Sequence, residues 1–448
     1  MLMPFIRRNI VERLLALKNG SVRLKRWQEL EKTQWLPEEE LRTIQWQRLQ
    51  NLLQEVYATN TFYRQRFERA DITPDMIRIP EDLRRLPVLT KEEVREAGLS
   101  MLSRGFVAEK LQQAKTGGST GKSLELYYTE ECSEMRNGCA WRHDRWTGWE
   151  PGEPFAACWG NPVLPKTLKE RLRHWLVQPI LYLDTMHVDD EAVRTFAARW
   201  RRMKPTLLFG HAHSIYLLAC YLNKLNITDL QPKGILSSSM MLIPSERQVI
   251  EETFGVRVID RYGCEEVSLI ACECERHEGM HLNIDHLFIE FIGEDGQPVA
   301  AGEPGKIVVT DLINKAMPFI RYQVEDVGIP SDRRCSCGRG LPLIEGVAGR
   351  VADFLVKPDG SRVAGISLIE NTLTRFTGLD QMQIVQHALL DFEMRLVVGP
   401  TYTEQVGKEL IAYWKSVFSE DAQVRLVLVD EIIPEQSGKF RFSICHVK

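Results

Sequence analysis

The chain has 448 residues, 44% of them hydrophobic and 26% charged, with a formal net charge of −4. At about 150 residues per domain this length predicts two or three domains, and the composition excludes a wholly disordered chain, a collagen and a disulfide-framework toxin. The slightly acidic balance argues against a nucleic-acid footprint, and no run approaches the roughly 18 uninterrupted apolar residues of a membrane span, so a cytoplasmic globular protein is expected.

The segment from Phe5 to Arg26 is basic and partly amphipathic. It allows weak contact with a membrane surface, although a helix packed on the domain with a solvated basic face is the favoured reading. Apolar positions at helical spacing from Ile44 to Phe67 make the N-terminal region mainly helical, and Thr90 with Glu93 has the spacing of a capping box. Apolar runs at Thr206 to Phe209, Gly234 to Leu236 and Val256 to Ile259 then alternate with helical stretches at Ser214 to Leu222 and Ser245 to Thr253, which reads as α/β units with parallel strands. After His281 the pattern becomes strand, turn, strand, and beyond Gly349 strands surround helices at Ile366 to Phe376 and Thr403 to Ser419. The expected architecture is α/β: a large domain over residues 1–353, with a mainly helical extension at 1–85 and a β-rich part at 280–350, and a small α+β domain over 354–448.

The segment Lys115-Thr-Gly-Gly-Ser-Thr-Gly-Lys-Ser123 has the glycines, hydroxyls and lysines that wrap phosphate oxygens. A Walker A loop needs a glycine five residues before Gly121, where this chain has Thr116. The following Leu124-Glu-Leu-Tyr-Tyr-Thr alternates like a strand, so a phosphate loop within a hairpin is expected.

Further motifs stand in order: Tyr262-Gly-Cys-Glu-Glu266, Gly302-Glu-Pro-Gly-Lys-Ile-Val-Val-Thr310, Arg321-Tyr-Gln-Val-Glu-Asp326, Gly349-Arg-Val-Ala-Asp353 and Pro434-Glu-Gln-Ser-Gly-Lys439. On these segments, over about residues 40 to 448, the sequence resembles the adenylate-forming superfamily, in its branch of phenylacetate-coenzyme A ligases and capsule-biosynthesis relatives. The resemblance implies an ATP- and magnesium-dependent ligase whose large domain is an adenylate-forming domain and whose small C-terminal domain is mobile. It makes Thr116, Gly117, Gly118, Ser119, Thr120, Gly121 and Lys122 the phosphate loop. It places Ser238, Ser239, Met240, Tyr262, Gly263, Asp326 and Arg350 at the nucleotide, and Asp353 at the hinge. Glu266 would hold magnesium, which an oxygen ligand suits. Lys439 would bridge the attacking carboxylate and the α-phosphate as charge shifts between them. The chain departs from the family wording at Glu265, Val324-Glu325 and Ala352.

Two Cys-x-Cys pairs, Cys272-Glu-Cys274 and Cys335-Ser-Cys337, with His277 and His281, suggest a zinc site made from two short clusters. The family branch has Glu-Cys followed by Gly-x-His and a later Cys-x-Cys-Gly, which implies Cys274, His281, Cys335 and Cys337 as ligands of a structural zinc, leaving Cys272 and His277 as spares. The resemblance also implies an acyl pocket near Trp141, Phe209, His211 and Ser214, although aromatics in an α/β domain are more often core. The expected reaction joins a small-molecule carboxylic acid to coenzyme A through an acyl-adenylate. The alternatives are transfer to an amine or hydroxyl, or a zinc-stabilised scaffold without catalysis. A second copy of the chain, as a homodimer, is the one protein partner expected.

Overall fold

Asn60 divides the N-terminal helical region. The computed structural model describes residues 2–115, 124–160, 165, 167–293, 295–348, 354–432 and 441–447. The single helical stretch expected from Ile44 to Phe67 is two helices, Glu38–Thr59 and Thr61–Arg69. Asn60 turns the chain because its side chain accepts from the amide of Tyr63 at 3.1 Å and its Nδ2 donates to the Met101 carbonyl at 2.7 Å, a local bonding pattern that competes with helix continuation. Thr90 caps the helix Lys91–Ala97 reciprocally with Glu93, as its spacing predicts.

The next two strands, β1 (Gln112–Lys115) and β2 (Glu125–Tyr128), pair antiparallel with Lys115 opposite Glu125. Residues 116–123, the expected phosphate loop, connect them and lie outside the described residues. A long helix, Glu130–Trp146, follows. The chain then lays down β3 (Phe155–Trp159), β4 (Ile180–Asp184), β5 (Leu207–His211), β6 (Gly234–Ser238), β7 (Val258–Cys264), β8 (Ser268–Glu273), β9 (Met280–Leu282), β10 (Leu287–Ile292), β11 (Gly305–Asp311), β12 (Tyr322–Ser331) and β13 (Leu343–Ala348). These eleven form one sheet in the order β10-β11-β12-β13-β9-β8-β7-β6-β5-β3-β4. Pairing is parallel from β4 through β7 and antiparallel from β7 to β10. Parallel strands need crossovers, supplied here by helices such as Ala212–Lys224 and Pro244–Phe254, whereas hairpins suffice for the antiparallel half. The β7–β8 turn is where one regime changes to the other. At Gly263 a Cβ would lie 2.6 Å from the Ser268 carbonyl oxygen, so only glycine permits this close return.

The C-terminal segment contains a short pair, β14 (Phe354–Val356) with β15 (Arg362–Ala364), and a four-stranded sheet of β16 (Leu379–Ala388), β17 (Asp391–Val398), β18 (Gln423–Leu428) and β19 (Ser443–Cys445), ordered β18-β17-β16-β19. The helix Glu404–Phe418 covers this sheet through Trp414, whose ring stands 5.9 Å from Phe392 and 5.5 Å from Phe418. The segment touches the large sheet's helical side where Asn371 reaches the Met186 sulfur at 3.5 Å and Ser361 meets His187 at 3.4 Å. No helix among the described residues is long and apolar enough to cross a membrane.

Candidate active site and metal centre

The carboxyl ends of β6 and β7 and the turns beyond them open a cavity of about 290 Å³. Its walls include Ser239, Met240, Tyr262, Gly263, Asp326 and the Glu345–Val347 stretch of β13. The end of a parallel strand is a usual place for a ligand cleft, because the chain leaves the sheet there. Ser239 adopts φ +66° and so turns the backbone out of β6 along the cavity. The Tyr262 hydroxyl donates to Asp326 Oδ2 at 2.8 Å, holding that carboxylate at the cavity wall. Glu266, buried just beyond β7, accepts from the Tyr322 hydroxyl at 2.9 Å. Of the sequence-predicted nucleotide residues, Ser239, Met240, Tyr262, Gly263 and Asp326 converge on one cavity, and Ser238 lines the cavity beside it.

Two further lining residues were not foreseen. Asp260 lies two positions before Tyr262 on β7, so the strand's period of two puts both on one face. It accepts from the Ser237 hydroxyl at 2.7 Å, and burial pushes its carboxyl up to about 7. Arg261 lies between the two cavities and donates to Asp144 Oδ1 at 3.1 Å. By contrast, Arg321 of the Arg-Tyr-x-x-x-Asp motif is committed to structure: it makes 3.0 Å bonds to both Glu290 oxygens and a 2.6 Å bond to the Leu86 carbonyl.

The second cavity, about 340 Å³, lies between the helix Glu130–Trp146 and the β7–β8 turn. Ser133, Arg136, Asn137 and Ala140 face it from the helix, a spacing of three, four and seven that marks one helical face. Of the residues expected to form an acyl pocket, Trp141 instead packs edge-on to Trp27 at 5.8 Å and Trp149 at 6.4 Å under the N-terminal helices. Five positions on from Arg136, it points to another side of the same helix. Phe209 stacks on Trp159 at 5.3 Å, with the Arg261 guanidinium 5.0 Å from its ring. His211 lies 3.9 Å from Trp159, and burial pushes its imidazole down to about 3, which keeps it neutral. Ser214 is buried in the helix that follows.

Cys274, His281, Cys335 and Cys337 bring one ligand atom each to within 4.8 Å of one another. Sγ of Cys274 is 3.6 Å from Sγ of Cys335, and Sγ of Cys337 is 3.3 Å from His281 Nε2. The His281 Nδ1–H donates to the Leu341 carbonyl at 2.9 Å, leaving the Nε2 lone pair aimed at the sulfurs, which is how a second bond sets a ligating histidine. Backbone amides of Arg276 and Arg339 each donate to a cysteine sulfur at 3.4 Å. Burial raises the Cys274 and Cys335 thiols, whereas for Cys337 the bonds to His281 and the Arg339 amide outweigh burial and bring it down to about 6. Three sulfurs and one imidazole at this spacing fit a tetrahedral zinc donor set. The two spares lie elsewhere, Cys272 buried in the core of β8 and His277 held 3.4 Å from Glu273.

The remaining sequence-predicted residues lie outside the described residues: Thr116, Gly117, Gly118, Ser119, Thr120, Gly121 and Lys122 of the phosphate loop, Arg350, the hinge residue Asp353, and Lys439.

Known proteins resemble this chain both in its C-terminal segment and along most of its length. Residues 355–446 match the model of the CapK C-terminal domain. Phenylacetate-coenzyme A ligase of Thermus thermophilus is 25% identical over 395 residues, covering 84% of this chain and 86% of the relative. Protein CapK of Staphylococcus aureus is 22% identical over 412 residues, covering 90% and 89%. Among solved structures, 2-hydroxyisobutyryl-CoA ligase in complex with 2-HIB-AMP and CoA superposes with a TM-score of 0.62 at 18% identity, covering 93% of this chain and 92% of that one. At that identity the likeness is one of fold. The fold is the one found in 2-hydroxyisobutyryl-CoA ligase, over most of both chains. In sequence the chain is similar to the phenylacetate-coenzyme A ligases and to CapK.

Proposed function

We propose that this protein is an ATP-dependent ligase that activates a carboxylic acid as its acyl-adenylate and then passes the acyl group to coenzyme A. In the first half-reaction a carboxylate oxygen attacks the α-phosphorus of ATP, and the bond to the β-phosphate oxygen breaks to release pyrophosphate. In the second a thiolate attacks the acyl carbon and AMP leaves. The observation that carries this reading is the cavity in which Tyr262 fixes Asp326 opposite the backbone of Ser239 and Met240, with a second cavity sharing Ser239, Arg261 and Gly263. The first has a carboxylate suited to ribose hydroxyls, and the shared wall is where a carboxylate would meet the α-phosphate. Glu266 would hold magnesium on the phosphates, an ion that neutralises developing charge when bound. Lys439 would stabilise charge passing between the two oxygens. The C-terminal domain, from about residue 354, would alternate about Asp353 to present Lys439 first and admit the acceptor later.

The four-residue cysteine and histidine cluster would hold a structural zinc, since all its ligands come from the protein. Its place supports that role: Arg339, beside Cys337, bonds Glu275 at 3.0 Å and Gln34 at 3.1 Å, which ties the cysteine loop to the N-terminal helices. The likeness to CapK leaves transfer to an amine or hydroxyl as the second reading of the acceptor step. ATP–pyrophosphate exchange tests the reading. Lys439→Ala should lose exchange by several orders of magnitude while thioester formation from supplied acyl-adenylate survives. Equal loss of both half-reactions in a folded variant would reject the role of Lys439, and AMP release independent of coenzyme A thiol would assign the other acceptor.

A further inference from the structure

A helix packed on a domain turns its apolar stripe inward. The N-terminal stretch of this chain does the reverse. Over Leu2–Ile6, Arg7–Val11 and Glu12–Asn19, Arg7 and Glu12 are buried while Phe5, Ile10, Leu14 and Leu17 are 49–81% exposed. The middle segment is a π turn, which takes more residues per turn than an α-helix. Spacings of five, four and three therefore bring these four side chains to one face. What holds the stretch to the domain is polar: Arg7 donates to the Trp175 carbonyl at 2.8 and 3.1 Å and to the Gly152 carbonyl at 3.1 Å, and Arg8 pairs with Glu150 at 2.8 Å.

The Trp175 carbonyl belongs to a second helix of the same kind. Leu168–Val177 has no buried residue, and Leu168, Leu172 and Trp175, at i, i+4 and i+7, form an exposed apolar stripe. The two helices share an opening of about 660 Å³ with the end of the helix Asp190–Met203; Met3, Trp175 and Met203 line it beside Arg199, Arg202 and Lys204. Apolar side chains gathered outward in this way mark an interaction site.

Charge decides the partner. The whole chain carries −4, yet this edge is cationic, with Arg13, Lys18, Arg171, Arg173, Arg199 and Arg202 all exposed. The acids among them are committed within the protein. Glu12 is paired with Arg23 at 3.0 Å, Glu150 with Arg8 and Arg145, and Glu153 with Lys233, while Glu170 accepts the Thr167 amide of its own helix at 3.0 Å. A second copy seated here by a two-fold axis would set the same cations against themselves. An anionic bilayer satisfies both features, since lipid phosphates face the arginines while Leu, Phe and Trp side chains enter the boundary between headgroups and acyl chains. We propose that this edge, made of the N-terminal helical stretch and the helix Leu168–Val177, seats the protein on a membrane surface that contains anionic lipid.

The test is co-sedimentation of the full-length protein with vesicles of phosphatidylcholine alone and of phosphatidylcholine mixed with phosphatidylglycerol. Partition onto the mixed vesicles should be at least about tenfold above that onto the neutral ones and should fall as salt is raised. Leu168→Gln/Leu172→Gln and, separately, Leu14→Gln/Leu17→Gln should lower it several-fold. Arg171→Gln/Arg173→Gln should narrow the gap between the two vesicle types. These side chains are exposed, so the melting temperature should not move in any of the three variants. No binding, equal binding to both vesicle types, or folded variants that bind as the wild type does would overturn the inference. So would a wild type that is dimeric without vesicles while Leu168→Gln/Leu172→Gln is monomeric, which would assign the stripe to a second copy.

Discussion

Arg142 and Asp285 form an ion pair inside the protein, and Arg142→Met should show what it contributes. Both side chains are almost wholly buried, at 0% and 1% exposure. Nη1 donates to Asp285 Oδ2 at 2.5 Å and Nη2 to Asn283 Oδ1 at 2.7 Å, while the carboxylate also accepts from Thr33 at 2.9 Å and from His286 at 3.1 Å. Burial alone would raise the Asp285 carboxyl, but Arg142 and His286 outweigh it and hold it far below the usual carboxylate range. Removing the guanidinium leaves a buried carboxylate without its main partner, which costs about 3–5 kcal/mol. The pH dependence follows from the sign. A depressed acid contributes stability above its unfolded value, about 3.9, and loses it as pH falls through the folded value. In the variant, burial dominates and the carboxyl moves up above its unfolded value of about 3.9, so the difference from wild type should be largest at neutral pH and shrink steadily as pH falls through that raised value and on below about 4. Urea denaturation followed by tryptophan fluorescence measures this, with Arg142→Met/Asp285→Leu as the control that should recover most of the loss. A loss under about 1 kcal/mol at pH 7, a pH-independent difference, or a double variant no better than the single one would refute the argument.

The metal centre gives a second expectation: purified protein should contain about one zinc per chain, and Cys335→Ser should lose the metal and lower the melting temperature together. Metal-free protein that melts as the loaded protein does would end the zinc assignment. Asp260 gives a third. Its folded value near 7 means the folded state keeps a proton that the unfolded chain releases, so stability should fall as pH rises from about 4 to 7, and Asp260→Asn should remove that slope.

Much of this arrangement was legible in the sequence, and the reason is local. Helices such as Glu404–Phe418 and strands such as Leu287–Ile292 carry their own periodicity, and Thr90 carries its cap in the residue three positions on. The cluster of Cys274, His281, Cys335 and Cys337 could be named because each ligand lies in a short motif, even though its halves are about sixty residues apart. What escaped was set by contact across the sequence. Asn60 interrupts a helix that its neighbours favour because the Met101 carbonyl, 41 positions away, accepts its amide. Of the aromatic residues read as a pocket, Trp141 packs edge-on to Trp27 and Phe209 stacks on Trp159, and the face of Ser133, Arg136 and Asn137 gave no signal until the β7–β8 turn stood opposite it.

The helix Glu130–Trp146 connects these observations. One face looks into the second cavity through Ser133, Arg136, Asn137 and Ala140, while Cys139, Arg142 and His143 are buried on another, where Arg142 bonds Asn283 and Asp285 and His143 bonds Asn283, beyond β9. At its last turn Trp146 lies 5.6 Å from His281 of the metal cluster. The buried ion pair and the cysteine cluster therefore both restrain the element that shapes the cavity, although neither touches what the cavity holds. Groups on a braced helix hold their geometry better than groups on loops. Among the described residues the two cavities share Ser239, Arg261 and Gly263, so a change at any of these three positions reaches both.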